Sequence, residues 1–458
     1  MKYSKAQIQR RVYGIPELRF EDQRLSSFSG LVVIQALIKK LGLRARLKGC
    51  FEHLQHNPIV GFNVVALLLI VHLMLGYRRL REMQRYQEDP LVLRLLGLSR
   101  LPDISTVTRR LSQVDRESVR NVRQMNRALV LDPLATTGVS RLTMDFDGSV
   151  FSTGRFAEGT AVGFNKQKKG QRSYYPLFCT IAQTGQVLDV HHRPGNVHDS
   201  NGAEQFIRRR IQDVRSVLPG AKLEARLDSA FFADKQVNLL DDEAVEFTIS
   251  VPFERFTELK AVVEGRKRWK PLDGTWSYFE ADWSPKCWER PYRFICIRQK
   301  VNRQNKEPVQ LDLFRPHEVG YDFKVIVTNK KSSARNVLRF HNGRGAQENI
   351  FGELKSQCQM DYVPVRRLAG NQLYLMAAVL SHNLLRMLQM ERTQPEKKTT
   401  EKRSPLWIFQ EATTIRRHLI SRAGRLTRPC GRLRLTMSGN EATKQTFLEY
   451  LKALRAVA

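Results

Sequence analysis

The sequence predicts an α/β protein with a helical N-terminal region, and three observations carry that prediction. Apolar residues recur at spacings of three and four from about Ser26 to Ala128. Near Ser140 the period drops to two, and beyond it strand-like runs alternate with helical ones. The chain has 458 residues, 42% of them hydrophobic, enough for roughly two to four packed units around a sizeable core.

In the first segment, 1–138, the runs LVVIQALIKKLGL, VVALLLIVHLMLGYRRLREM and PLVLRLLGL are helical and no strand signal interrupts them. Pro102 to Leu111 reads as a turn, a Ser or Asp N-cap and a helix with a basic exposed side. Arg109 and Arg110 there are candidate DNA contacts of a helix-turn-helix, with plain packing of a basic surface helix as the competing reading. The second segment, 139–251, starts the α/β core. Leu142, Met144 and Phe146 alternate with Thr143, Asp145 and Asp147; YYPLFCTIA and QVLDVHH are two further strands; a helix follows from about Asn201 to Val217. Strands over about 222–227 and 245–251 flank another helical segment. Between 252 and 334 the composition shifts: four of the five tryptophans, Trp269, Trp276, Trp283 and Trp288, fall among basic residues and short runs such as YRFICIRQKV, as in a β-rich insertion subdomain. Helices of the core resume over 335–390, a charged linker follows at 391–405, and a basic helical C-terminal tail occupies 406–458. No internal repeat is present.

Lysine and arginine number 76 against 45 aspartates and glutamates, a formal charge of +31. An excess spread over the whole length is the footprint of a polyanionic partner, with nucleic acid the commonest. An anionic membrane surface is the rival, and it calls for an amphipathic or lipidated anchor that this sequence lacks. The longest apolar stretch, Val64 to Leu75, falls well short of the roughly 20 residues that span a bilayer. The N-terminus has no apolar run or cleavage site of a signal peptide, and the expectation is a cytoplasmic protein. The six cysteines form no C-x-x-C pair and read as free thiols.

The residues that carry chemistry lie in two settings. Asp147, followed by Gly148 and Ser149, and Asp228, followed by SAFF, both end strands, where open α/β sheets place their ligand sites. In FHNGRGAQENIFGELK, His341, Arg344, Glu348 and Lys355 recur as H-x2-R-x3-E-x6-K, which on one continuous helix gathers all four within an arc of roughly 60°. A solvated ion-paired face is the bland alternative for the stripe, and an Asx turn or helix cap the bland alternative for each aspartate. Three carboxylates in one place repel unless divalent cations neutralise them, and hard oxygen ligands select Mg²⁺ or Mn²⁺. Two such ions about 3.5 to 4 Å apart suit in-line displacement at phosphorus. Lys168, Lys169 and Arg172, in the KQKKGQR run between two core strands, read either as a solvated loop or as DNA backbone contacts. His191, His192 and His198 lack a completing Cys or paired His, so a zinc site is not expected.

The H-x2-R-x3-E-x6-K spacing, together with NKQKKGQRSYYPLF, TGQVLDVHHRPGNVHDSNGA, RLDSAFF and SHNLLRM, resembles bacterial insertion-sequence transposases with the Tyr-Arg-Glu-Lys signature, insertion sequence family thirteen-eighty. The resemblance spans roughly residues 20 to 390. It implies a ribonuclease-H-like catalytic core interrupted by the β-rich insertion, behind an all-helical N-terminal DNA-binding region. It also implies Asp147, Asp228 and Glu348 as catalytic and metal-binding residues with two Mg²⁺ (or Mn²⁺) ions, and His341, Arg344 and Lys355 as contacts to transposon-end phosphates. His341 stands where the signature has tyrosine, so a phenolic hydrogen bond becomes one from imidazole. Asp145 shares a strand face with Asp147, and either can be the ligand. Asp147 is preferred because a small residue follows it, as in the family. A tryptophan of the insertion stacking on a flipped base is a further implication, against core packing of each.

The expected protein is a DNA transposase that binds terminal inverted repeats, cleaves phosphodiester bonds and transfers the 3′-hydroxyl end to target DNA. Double-stranded DNA is its partner, a homodimer holds the synaptic complex, and the location is the bacterial cytoplasm, nucleoid-associated. The rivals are a domesticated relative acting as a DNA nuclease and a non-catalytic DNA-binding regulator, which gains nothing from three mutually repelling carboxylates.

Overall fold

The chain is described as a computed structural model covering residues 3–13, 15–54, 60–154, 156–163, 165, 168–197, 201–301, 320–396 and 405–455. Its apolar N-terminal runs become helices that bury one another: α1 (Lys5–Tyr13), α2 (Leu31–Lys40), α3 (Leu43–Gly49), α4 (Phe62–Met74), α5 (Pro90–Leu96), α6 (Ile104–Gln113) and α7 (Arg116–Thr136). Aspartates start three of them. Asp89, Asp103 and Asp115 accept main-chain hydrogen bonds from Leu91 and Val92, Ser105, and Ser118, at the first turns of α5, α6 and α7. Pro90 at N1 and Gly97, at φ 74°, punctuate α5 at its two ends. Helix α4 has no polar face, and such a helix is stable only when surrounded. No described helix is long and apolar enough to cross a membrane.

The N-terminal region is not entirely helical. Leu25–Ser26 forms a two-residue strand, β1, too short to leave a period in the sequence.

From β2 (Arg141–Gly148) the chain builds one large sheet. The small strands β3 (Phe151–Ser152), β4 (Ala161–Val162) and β5 (Arg172–Tyr174) pair in the order β3-β5-β4 beside it. Then come β6 (Leu177–Ile181), β7 (Gln186–His191), α8 (Ala203–Val217), β8 (Lys222–Leu227), α9 (Asp234–Asp242) and β9 (Glu246–Val251). Strands β2, β8 and β9 run parallel; β6 and β7 add antiparallel on the other side of β2. Leu142, Met144 and Phe146 of β2 pack with Phe206, Ile207 and Val237 of α8 and α9, as the period of two requires. On a second core, Phe178, Val187 and Val190 meet the helices that follow the insertion.

Segment 252–334 is not a separate β unit. After α10 (Thr257–Glu264), strands β10 (Lys270–Asp273), β11 (Trp276–Ala281), β12 (Arg293–Lys300) and β13 (Tyr321–Thr328) extend the main sheet, giving the order β10-β11-β12-β13-β9-β8-β2-β6-β7. Strand β13 pairs antiparallel with β9 from Val325↔Val251 to Thr328↔Thr248, covering a row of main-chain groups that would otherwise form an open edge. Phe279, Phe294 and Val325 join the same core as the parallel strands.

Helices α11 (Ala334–Asn342), α12 (Gly345–Ser356) and α13 (Leu368–Arg392) complete the core, and α13 packs against α4, α7 and β7. Nineteen of its 25 residues are buried, which makes it the post joining the helical region to the sheet. The expected linker, 391–405, lies partly outside the described residues; Leu406 donates its N–H to the Gln183 carbonyl at 2.8 Å. The tail departs from the helical expectation. Between α14 (Ala412–Ile415) and α15 (Glu441–Arg455) lies a hairpin of β14 (Gly424–Thr427) and β15 (Arg434–Met437), and β14 pairs with β1. The alternation in RLRLTM and the PCG turn are its local causes.

At the end of β2 opposite Asp147, Arg141, Glu224, Glu246 and Lys330 form a cross-strand ion cluster, with Lys330 Nζ 2.6 Å from Glu246 Oε2 and Arg141 Nη1 2.6 Å from Glu224 Oε1. Burial opposes ionisation of Glu246, but Lys222, Lys330 and Arg141 override it and hold its pKa down to about 2. A depressed folded-state pKa contributes stability that is present above the ordinary 4.5 and is lost as pH falls through about 2. Glu246→Gln is therefore expected to lower the melting temperature at pH 7 and to narrow its gap to the wild type toward pH 2. Parallel melting curves across that range would refute the assignment.

Candidate functional site

Strands β2 and β8 are parallel neighbours in the register Phe146↔Leu227, so Asp147 and Asp228 occupy the next positions at adjacent strand ends. Neighbouring strands lie about 4.8 Å apart, which puts the two carboxylates on one sheet edge despite their distance in sequence. Asp147 Oδ1 accepts the Gly148 N–H at 2.8 Å, and Asp228 Oδ1 accepts the Ala230 N–H at 2.9 Å, capping a short turn over Ser229–Phe231. These local bonds fix both carboxylates at the strand ends.

Helix α12 delivers the remaining groups. Arg344 is its N-cap, and Nη1 lies 3.1 Å from Asp147 Oδ2. The Gln347 amide donates to the Asp145 main-chain carbonyl at 3.0 Å, which seats the first turn of α12 against β2. Glu348 follows in that turn and is exposed. Lys355 is half-buried, 6.0 Å from the Phe151 ring centroid; burial lowers its pKa, and Asp361 and Asp147 pull the other way. The donor atoms of Asp147, Asp228 and Glu348 do not all lie within 4.8 Å of one another; among the described residues His53, Asp115 and Glu117 are the group that does. That trio caps α7: Asp115 is committed to Ser118 and to His53 Nε2 at 3.0 Å, and Glu117 pairs with Arg120.

The single stripe over 341–355 is not realised. The helix ends at Asn342 and restarts at Gly345, with Gly343 between, where an added side chain would meet the Arg226 guanidinium. His341 therefore sits on α11, 2% exposed, with Nε2 2.8 Å from Ser250 Oγ and Nδ1 3.0 Å from Thr248 Oγ1. Burial first, then Lys324, Arg344 and Arg226, push its pKa down to about 3, so the imidazole is neutral. Both nitrogens are thus committed to β9, and a phosphate contact from His341 requires it to leave Ser250 or Thr248. His341→Leu should leave DNA affinity within about twofold yet cost about 1–3 kcal/mol in denaturant unfolding, because two buried hydroxyls lose their partner. A loss of DNA affinity in a fully stable variant would contradict that role.

Asp145 and Asp147 sit in different surroundings, and Arg226 makes the difference. Asp145 is 2% exposed and accepts from Arg226 Nε at 2.5 Å and Nη2 at 2.7 Å, directly across the β2–β8 register. It is a buried counter-ion. The signal was available: each strand carries an opposite charge two residues before its terminal aspartate.

The other basic candidates divide. Arg109, Lys168 and Lys169 are exposed. Arg110 bonds Gln113 Oε1 at 3.0 Å and lies 5.4 Å from the Phe62 ring centroid. Arg172 is tied to Thr160 Oγ1 at 3.0 Å and stacks 5.0 Å from Phe156, so it braces the small sheet. That sheet reaches the site through β3, whose Phe151 faces Lys355. Lys166 and His198 lie outside the described residues. His191 stacks on Phe206 and His192 lies edge-on to Tyr174; burial leads in holding them at about 4 and 3. Trp283 and Trp288 pack on Phe294, and Trp269 packs on Phe279.

Carboxylates at the ends of parallel strands, faced by a helix bearing a glutamate and cations, make an acidic centre with basic flanks, a class of site suited to a polyanionic substrate. The chain belongs to the family described as Transposase DDE domain group 1, whose model matches residues 14–458, and it is a DDE transposase by that membership. No curated protein matches it. Among solved structures it is similar to a cryo-EM structure of a piggyBac transposase synaptic complex with hairpin DNA, at 12% identity and a TM-score of 0.43, covering 86% of this chain and 79% of that one.

Proposed function

We propose that this chain is the transposase of an insertion sequence of family thirteen-eighty, moving it by cut-and-paste. In this reading it binds terminal inverted repeats, cleaves the phosphodiester at the element's end and joins the 3′-hydroxyl to target DNA. The observation that carries the reading is the convergence of Asp147, Asp228 and the Glu348-bearing turn of α12 at one sheet edge. The order β9-β8-β2-β6-β7, with two parallel pairings followed by two antiparallel ones, supports a ribonuclease-H-like core.

The donor set fits divalent cations. All three groups are hard oxygen donors, and Asp147 already holds a cation, the Arg344 guanidinium. A two-ion site shares ligands between ions about 3.5 to 4 Å apart, so its outer carboxylates need not lie within one ion's radius. Asp147, Asp228 and Glu348 would hold two Mg²⁺ (or Mn²⁺) ions, which supply an activated water or 3′-hydroxyl and neutralise charge at phosphorus. Arg344 stands where a guanidinium can pass from Asp147 to a phosphate oxygen, and Lys355 adds a point charge on the same side. Arg109, Lys168 and Lys169 extend the basic surface along the duplex, while Arg110 and Arg172 brace it. A homodimer would hold two ends together.

The test is a strand-transfer assay with purified protein, Mg²⁺, a labelled duplex carrying the flanks of its own gene, and a supercoiled target. Joining of a 3′-hydroxyl end to the target, absent with Glu348→Gln, is the expected result. Cutting without joining would favour the nuclease reading, and binding without cutting the regulator.

A further inference from the structure

We propose that Gln347 is the positioning residue that sets Glu348 against Asp147 and Asp228, acting through a buried latch with Asp145 and Arg226. This rests on the metal-dependent site proposed above. Gln347 is 0% exposed in the first turn of α12, beside exposed Glu348. Burying a long amide costs rotamer entropy and desolvation, and one hydrogen bond, from its side-chain amide to the Asp145 carbonyl at 3.0 Å, offsets part of that cost. Its Oε1 is buried with no hydrogen-bond partner, an unmet acceptor that a leucine or methionine filling the same space would not carry. The side chain is therefore poor as filler and good as a directional tie.

The tie continues. The Asp145 carboxylate accepts from Arg226 Nε and Nη2, and the remaining arm, Nη1, donates to the Phe340 carbonyl at 3.1 Å, at the end of α11. One chain of contacts thus joins β2, β8, the end of α11 and the start of α12. Each element bearing a site carboxylate contributes a member next to it: Asp145 two residues before Asp147, Arg226 two before Asp228, Gln347 one before Glu348. Metal distances tolerate only about 0.2 Å, and a turn of α12 that breaks the Gln347 bond swings Glu348 with it.

The test measures Mn²⁺ binding to the full-length, DNA-free protein by calorimetry, for wild type, Asp228→Asn, Gln347→Met and Gln347→Leu. Melting temperature and cleavage kinetics are followed alongside. The expected result is Asp228-dependent binding in the wild type that weakens about tenfold or more in both Gln347 variants. Their kcat should fall by a similar factor while KM for DNA stays within about twofold and the melting temperature within about 3 °C. A folded Gln347→Met that binds Mn²⁺ like the wild type overturns the proposal. Unfolding of both variants also overturns it, since Gln347 would then hold the fold and not the site. A wild type with no Asp228-dependent binding sinks the metal-site reading itself, and the latch with it.

Discussion

Asp228→Asn and Asp147→Asn are expected to lower DNA cleavage by roughly a thousandfold or more, about 4 kcal/mol of transition-state stabilisation, while the protein stays folded. Asparagine keeps an acceptor for the turn that Asp228 caps through Ala230, and for the Gly148 N–H at Asp147, so local structure has its hydrogen bonds. What is lost is one negative charge from the centre proposed to hold divalent cations. The two variants differ in one further respect. Asp147→Asn releases Arg344, whose side chain is 20% exposed and which then has no anion at 3.1 Å, so DNA affinity should hold or rise even as cutting stops. Cleavage rates with saturating Mg²⁺ and duplex, beside melting curves, check both statements.

Arg226→Met is expected to be the most damaging single change to the fold, about 3–5 kcal/mol, because it strands the buried Asp145 carboxylate. Burial already pushes the Asp145 pKa up, and Arg226, then Arg344, pull it back. With Arg226 gone the folded-state pKa rises further. A raised acid pKa costs stability above it and recovers that stability as pH falls, so the deficit should be smaller at pH 4 than at pH 8. Urea denaturation at the two pH values measures this. Asp145→Leu combined with Arg226→Met should regain much of the loss, since an apolar pair of similar volume removes both charges from the interior. Equal loss at both pH values, with no recovery in the double variant, would mean the pair is not the cause.

The strand-end aspartates were legible because a strand's end leaves local marks: alternation in LTMDFD, a small residue after Asp147, a turn after Asp228. The stripe in FHNGRGAQENIFGELK was legible as a set of residues and misleading as geometry. Gly343, pressed against Arg226, interrupts the helix, and no residue within the segment announces a neighbour from β8. The burial of His341 was illegible for the same reason, since Ser250 and Thr248 lie on a strand far away in sequence. The insertion's strands were legible, but their attachment to β9 was not, because pairing register is a property of two distant segments. The hairpin of the tail, with Gly431 at φ 76° in its turn, left a local pattern that the basic composition masked.

The measurement that bears most directly on the central claim is Mg²⁺-dependent cutting of a labelled duplex spanning the gene's own flanks, compared among the wild type, Asp147→Ala, Asp228→Ala, Glu348→Ala and Asp145→Ala. The expected result is cutting at the repeat boundary by the wild type, its loss in the first three variants with their folds intact, and a folding defect in Asp145→Ala. Full cutting by folded Asp147→Ala or Glu348→Ala would show that the acidic centre at the ends of β2 and β8 is not where the chemistry occurs.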